Sequence, residues 1–374
     1  MNATLNRLQV TFRADASSVI GTGHVMRCLA LARELRACSA RCRFVSREHP
    51  GHLLGRVREQ GFEAIGLPLL AGDDMAPDDQ PAHSAWLGAP WAVDADQTRE
   101  ALIGRRSDWL IVDHYGIDAR WESALRGSTR RLMVIDDLAD RPHDADLLLD
   151  QNLTTDAEAR YRALVPPACQ LRLGPAHVLL RPEFDHVVPR THHGAVQRVF
   201  VYFGGNDRFN LAGQVLAALR RLPQLQADIV LGADHPHRDA VHAAAAGQSQ
   251  VQVLDTTDDM VGLMARADLA LGVCGMAAWE RCAVGLPSLV CINADNQRAD
   301  SLALQALGAA DCLGEAEALC ADDWFEALAR AHLQPDRIAR MAAQARHVVA
   351  GHTANRQSLL QLLLLSHEPH HLAA

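Results

Sequence analysis

The sequence predicts an α/β chain of two successive domains, each a parallel sheet wrapped by helices, with a crevice between them. Three observations carry this expectation. An apolar strand that runs into a glycine-bearing loop and then a periodic helix occurs near the start and again after residue 199. Several short apolar runs end in aspartate, as the strands of a parallel sheet with polar carboxyl ends do. The composition shifts around Pro189–Gly194, PRTHHG, which divides residues 1–190 from 195–365 and leaves a disordered tail expected over 366–374. A length of 374 residues suits two domains of ordinary size.

The first unit is the most informative. Leu8, Val10 and Phe12 form the strand, Gly21-Thr22-Gly23-His24 the loop, and Val25, Met26, Cys28, Leu29, Leu31, Ala32 and Leu35 then recur at helical spacing. Gly21 and Gly23 permit a tight turn and a close approach of ligand, and the helix start offers unpaired N–H groups. His24 stands there, where a neutral imidazole can act as a general base. The same residues also suit a plain turn before a surface helix. Next come a strand at Cys42–Ser46, a helix at Leu53–Gln60, a loop or insertion over 68–93 and a helix at Asp94–Ile103. Trp109–Asp113, Leu132–Asp136 and Asp146–Asp150 read as strands, followed by His114-Tyr115-Gly116, by Asp137 and by Gln151-Asn152.

The second series starts with a strand at Val199–Phe203 and the turn Gly204-Gly205-Asn206-Asp207, with a helix over Asn210–Leu219. That turn can cradle a phosphate on backbone N–H groups, or it can be only a tight turn. Strands follow at Ala227–Leu231, Val251–Leu254, Asp268–Val273 and Pro287–Ile292, and the remainder reads as mostly helical. Within GVCGMAAWER, Gly275 and Met276 open a helix whose start can face a diphosphate. Glu280, one turn in, can accept both hydroxyls of a ribose; otherwise it is a surface residue or an ion-pair partner of Arg281. Asn296 and Gln297 can hydrogen-bond a sugar or serve as turn residues. Asp94-Ala-Asp96 and Asp144-Ala-Asp146 match Asp-x-Asp spacing, but one opens a helix and the other a strand, so no metal site is expected.

Composition narrows the function classes. A net charge of −9 without a basic block argues against a nucleic-acid partner. No run of about 18 apolar residues and no signal-peptide pattern is present, so neither membrane spanning nor secretion is expected. Nine scattered cysteines without a Cys-x-x-Cys pair read as buried hydrophobes in a reducing cytoplasm. No cofactor is expected, and a monomer is.

Taken together, FRADASSVIGTGHVMRCLALA, WLIVDHYGID, VIDDLADRPHDADLLLDQN, LRLGPAHVLLRPEF, VYFGGND, WERCAVGLPSLV and ADNQ resemble one family in order and content. It is the UDP-sugar hydrolases of pseudaminic acid biosynthesis, which act on UDP-2,4-diacetamido-2,4,6-trideoxy-β-L-altropyranose. The similarity covers roughly residues 8–300. It implies two Rossmann-like domains in a glycosyltransferase-B fold, similar to the UDP-N-acetylglucosamine transferase of peptidoglycan synthesis. It implies metal-independent hydrolysis at C1 with inversion, by water on a UDP-sugar, with His24 the catalytic residue. It also implies a tyrosine and an asparagine near the sugar, matched by Tyr115 and Asn296, with Arg13 in the same group. The nucleotide falls to Gly204, Gly205, Asn206, Gly275, Met276 and Glu280.

The chain departs from that pattern at Met276-Ala277-Ala278, where the family carries small hydroxyl residues, at Cys274, and at Ala350–Arg356, AGHTANR, which replaces an Asp-Gly pattern. Two other functions therefore stand beside hydrolysis: a glycosyltransferase with the same nucleotide site, and a non-catalytic sugar-nucleotide binding module.

Overall fold

The computed structural model describes residues 7–70, 80–188, 194–205, 207–232 and 235–365. The chain divides into two compact units, one comprising Met1–Arg181 with Gly351–Ala374 and the other Pro182–Ala350.

The sheet of the first unit has seven parallel strands in the order β3-β2-β1-β4-β5-β6-β7. They are β1 (Gln9–Ala14), β2 (Arg41–Arg47), β3 (Glu63–Leu67), β4 (Ser107–Asp113), β5 (Thr129–Ile135), β6 (Leu147–Asp150) and β7 (Gln170–Leu173). Because successive side chains point to opposite faces, Trp109 and Ile111 of β4 join a core with Phe12 and Leu29, while Leu110 and Val112 join another with Trp121. A strand buried on both faces has to be continuously apolar, which is why WLIV was legible.

The sheet of the second unit has six parallel strands in the order β10-β9-β8-β11-β12-β13. They are β8 (Arg198–Tyr202), β9 (Gln226–Val230), β10 (Val251–Leu254), β11 (Leu269–Val273), β12 (Ser288–Ile292) and β13 (Ala310–Glu315). Both sheets are Rossmann-like. In each, the order reverses beside the first strand, between β1 and β4 and between β8 and β11, and ligands of open α/β sheets bind outside the strand carboxyl ends at such a point.

Three strands went unread in the sequence. β3, β7 and β13 each lie at an outer edge of their sheet and are only half-buried, so no continuous apolar run marks them. The expected loop over 68–93 contains a short 3-10 turn at Ser84–Leu87, and the next helix begins at Trp91. The domain assignment changes most at the end of the chain. The helix His352–Leu365, placed by sequence in the second domain, belongs to the first unit. Leu359, Leu360 and Leu363 enter the core around Trp109, whose indole N–H donates to the Leu363 carbonyl at 3.1 Å. The tail over 366–374 lies outside the described residues. Among the described residues, no helix is long and apolar enough to cross a membrane.

Candidate functional site

The turn after β1 places His24. Gly21 has φ +81, a left-handed conformation open to glycine at little cost, and its N–H donates to the Ser17 carbonyl at 2.9 Å. Gly23 is different: it is the first residue of the helix Gly23–Ala37, and a Cβ there would meet nothing within 4 Å. It is therefore not required by the turn itself.

His24 lies in the first turn of that helix, 7% exposed, and Nδ1 sits 2.6 Å from Oδ1 of Asp113, the last residue of β4. Arg27, one helical turn on, holds the same carboxylate with Nε to Oδ2 at 2.6 Å and Nη2 to Oδ1 at 2.7 Å. Its Nη1 reaches Asp137 Oδ2, after β5, at 3.0 Å. Burial alone would raise Asp113, but Arg27 and then His24 outweigh it and hold the carboxyl well below its usual range. Asp113 is thus ionised. An ionised carboxylate only accepts, so the proton of a neutral His24 belongs on Nδ1 and Nε2 is left as the basic nitrogen.

Tyr115 packs edge-on against His24, with ring centroids 4.6 Å apart, and Trp86 stacks on Tyr115 at 5.6 Å. Burial, followed by the charge of Asp137, pushes the Tyr115 phenol well up, so it stays protonated. The strands thus bring His24 and Tyr115 together. Sequence reasoning missed Asp113 and Arg27 as site residues, although Asp113 ended a recognised strand and Arg27 lies three residues beyond His24.

Arg13 is corrected. It has no exposed surface, and its guanidinium holds Asp15 at 2.5 Å and Asp94 at 2.7 Å, so it braces the sheet from inside rather than contacting substrate. The Asp-x-Asp elements are likewise taken up by cations. Asp94 also binds Arg47 Nη2 and Trp121 Nε1 at 2.6 and 2.9 Å, and Asp96 pairs with Arg99. Asp144 and Asp146 both hold Arg126.

In the second unit, Gly204 has φ +86 and turns the chain after β8. The helix Leu211–Leu219 that follows is already capped: Asp207 accepts from Leu211 N and Ala212 N at 2.8 Å each, and Asn210 accepts from Gly213 N at 3.2 Å. Gly204 and Gly205 can therefore meet a phosphate only through loop backbone, with the Asp207 carboxylate occupying the helix start. Asn206 lies outside the described residues. Gly275, the N-cap of the helix Met276–Val284, carries no side chain and so makes no side-chain cap of its own. Met276 is half-buried, and Glu280 is 9% exposed on the second turn. Arg281 does not bridge to it. The Arg281 guanidinium is buried and donates to Ser288 Oγ at 3.0 Å and the Val273 carbonyl at 2.9 Å, which adds positive charge under β11. Asn296 is exposed, whereas the Gln297 side-chain Oε1 accepts from Asn293 N at 3.2 Å and so holds its own turn.

Residues 199–357 match the model of the glycosyltransferase family 28 C-terminal domain. The crystal structure of MurG from Acinetobacter baumannii is similar over 95% of this chain and 99% of that one, with a TM-score of 0.63 and 16% identity. The chain has the glycosyltransferase-B fold. Two curated proteins are related in sequence. The spore coat polysaccharide biosynthesis protein SpsG of Bacillus subtilis is 29% identical over 43% of this chain and 48% of its own length. The UDP-2,4-diacetamido-2,4,6-trideoxy-beta-L-altropyranose hydrolase of Campylobacter jejuni is 26% identical over 57% of this chain and 66% of its own. The chain thus spans about half to two thirds of the length of these relatives. On the glycosyltransferase-B fold, His24 stands at the switch point of the first sheet and Gly275 at that of the second.

Proposed function

We propose that this chain hydrolyses a UDP-linked sugar at its anomeric carbon, with inversion, releasing UDP and the free sugar. The observation that carries the reading is the ionised Asp113 on Nδ1 of His24. In the mechanism, water attacks C1 while His24 Nε2 takes its proton, and the C1–O bond to UDP breaks with the electron pair leaving on the diphosphate. Asp113 stabilises the imidazolium that forms, and His24 then returns the proton to solvent. Asparagine or glutamine could bind at that position but could not be recharged in this way. Similarity to the Campylobacter protein supports a diacetamido-trideoxy sugar as the substrate.

The uracil nucleotide is assigned to the second unit, with the diphosphate at Gly275 and Met276 and the ribose on Glu280. Glu280→Ala is expected to weaken UDP binding by roughly 1–3 kcal/mol, the cost of losing charge-assisted hydrogen bonds. Calorimetry with UDP checks this, and unchanged affinity in a folded variant would leave Glu280 a structural residue.

Activity is expected to survive chelation, because the Asp-x-Asp carboxylates are engaged by arginines. UDP release is compared before and after excess EDTA and desalting. A loss that magnesium or manganese restores would overturn metal independence.

The family 28 match supports a second reading, transfer of the sugar to an acceptor hydroxyl activated by the same His24. Incubation with a UDP-sugar separates the two. Free sugar and UDP without acceptor mean hydrolysis; UDP only on adding an acceptor means transfer. UDP binding without turnover in either case would indicate a binding module.

A further inference from the structure

We propose that Asp150 holds a proton and shares it through the Tyr161 hydroxyl with Asp136, making the loop that bears Asp137 a protonation-dependent support of the His24 site. The consequence for His24 chemistry rests on the function proposed above; the shared proton does not.

The geometry is a count of protons. Tyr161 is fully buried, and its hydroxyl lies 3.0 Å from Asp136 Oδ2, 3.0 Å from Asp150 Oδ2 and 3.0 Å from the Asp136 carbonyl. A phenol has one proton to donate. Burial, then the charges of Asp136 and Asp150, push Tyr161 far up, so it keeps that proton and cannot be an anion. Two ionised carboxylates on one phenol would leave one of them facing an oxygen lone pair. A proton on Asp150 removes the conflict: its O–H donates to Tyr161, and Tyr161 donates to Asp136.

Charge decides which carboxyl is the acid. Asp136 has Arg141 at 2.8 Å, His143 at 3.7 Å and Ala139 N at 2.9 Å. Burial lowers His143, but Glu122 at 2.8 Å and Asp136 raise it to about 9, so it is a cation. These groups hold Asp136 well below the usual carboxylate range against its burial. Asp150 is poorer in partners. Asn152 N donates to Oδ1 at 2.8 Å, and Arg160 Nη1 stands off at 3.4 Å. Facing it after β5 are Asp136 and Asp137, from the helix Ala157–Tyr161 come Arg160 and Tyr161, and its register partner on β7 is Leu173. Burial, with Asp137 adding to it, takes Asp150 up to about 7.

The same groups grip the loop after β5. Arg160 Nη2 donates to the Leu138 carbonyl at 2.8 Å, and Asn152 Nδ2 to the Asp137 carbonyl at 3.3 Å. Asp137 in turn holds Arg27, which holds Asp113. When Asp150 releases its proton to solvent, its new charge draws Arg160 from Leu138 and contests the Tyr161 proton. The loop then loses two of its ties. Asp150 is a positioning residue, not a catalytic one.

The test uses the full chain labelled with 13C at aspartate carboxyl carbons. One resonance is expected to titrate near 7, to vanish in Asp150→Asn, and to move by roughly a unit or more in Tyr161→Phe, where the shared phenol is gone. A wild-type spectrum with no aspartate titrating near neutrality overturns the proposal, as does a near-neutral titration that persists in Asp150→Asn. Should Asp150→Asn not fold, the wild-type and Tyr161→Phe titrations decide, and an unmoved midpoint in Tyr161→Phe counts against the shared proton. In a UDP-release assay, kcat/KM of the wild type is expected to fall on the alkaline side of neutrality and that of Asp150→Asn to stay flat through it. Parallel declines in the two proteins would sever the link to the site. Absence of any UDP release would count against the proposed function and leave the carboxyl titration to judge the proton.

Discussion

His24→Asn is expected to lower kcat by at least ~100-fold, the scale of a positioned general base, while UDP affinity stays at the wild-type value. The separation follows from the assignment of nucleotide and base to different units of the chain. Asparagine keeps polarity and approximate size, and it can still hydrogen-bond Asp113, so the buried Arg27–Asp113 pair survives. What it cannot do is accept a proton from water and be recharged by solvent. Turnover near wild type in this variant would remove His24 from the chemistry, and a parallel loss of UDP binding would mean that the change reached the second unit.

Asp113→Asn is expected to be as damaging by a different route. An amide can present its NH₂ to Nδ1 and so turn the imidazole tautomer around, placing the proton on Nε2 where the base is needed; losses of roughly 10²–10⁴-fold in kcat are the scale for such a change. The same substitution takes one of two carboxylates from Arg27, which is buried and would keep Asp137 alone. Breaking a buried pair costs about 3–5 kcal/mol, so the melting temperature is measured beside kcat. A folded Asp113→Asn protein with unchanged kcat would show that the carboxylate is a structural anchor only. Loss of kcat at temperatures well below melting, together with an altered pH profile, is the result a positioning role requires.

The fold was readable wherever burial forces a simple pattern. WLIVD, LMVID and VFVYF lie in sheets covered on both faces and had to be continuously apolar, and the glycine loops after β1 and β8 mark the turns that such strands make. The edge strands β3, β7 and β13 bury only part of their surface and left no such signature. Arg13 shows the converse error. A charged residue on the strand before a glycine loop looks available to a ligand, yet Asp15, two residues on, and Asp94, 81 residues away, neutralise it inside the protein. Asp207 likewise takes up the N–H groups of Leu211 and Ala212, a pairing that an acidic residue in a glycine turn does not announce.

By itself the sequence determined two parallel α/β units, His24 at a helix start beyond the first strand, and Gly275 with Glu280 beyond another. These are local facts, set by periodicity and by the residues a tight turn admits. The tertiary structure decided the rest. Asp113 is 89 residues from His24, and Arg27 bridges to Asp137 across 110 residues. The helix His352–Leu365 crosses back to cover Trp109. Only the strand order β3-β2-β1-β4-β5 puts those carboxyl ends side by side, because the ionisation of Asp113 and the tautomer of His24 depend on charges that meet in space and carry no periodic mark along the chain.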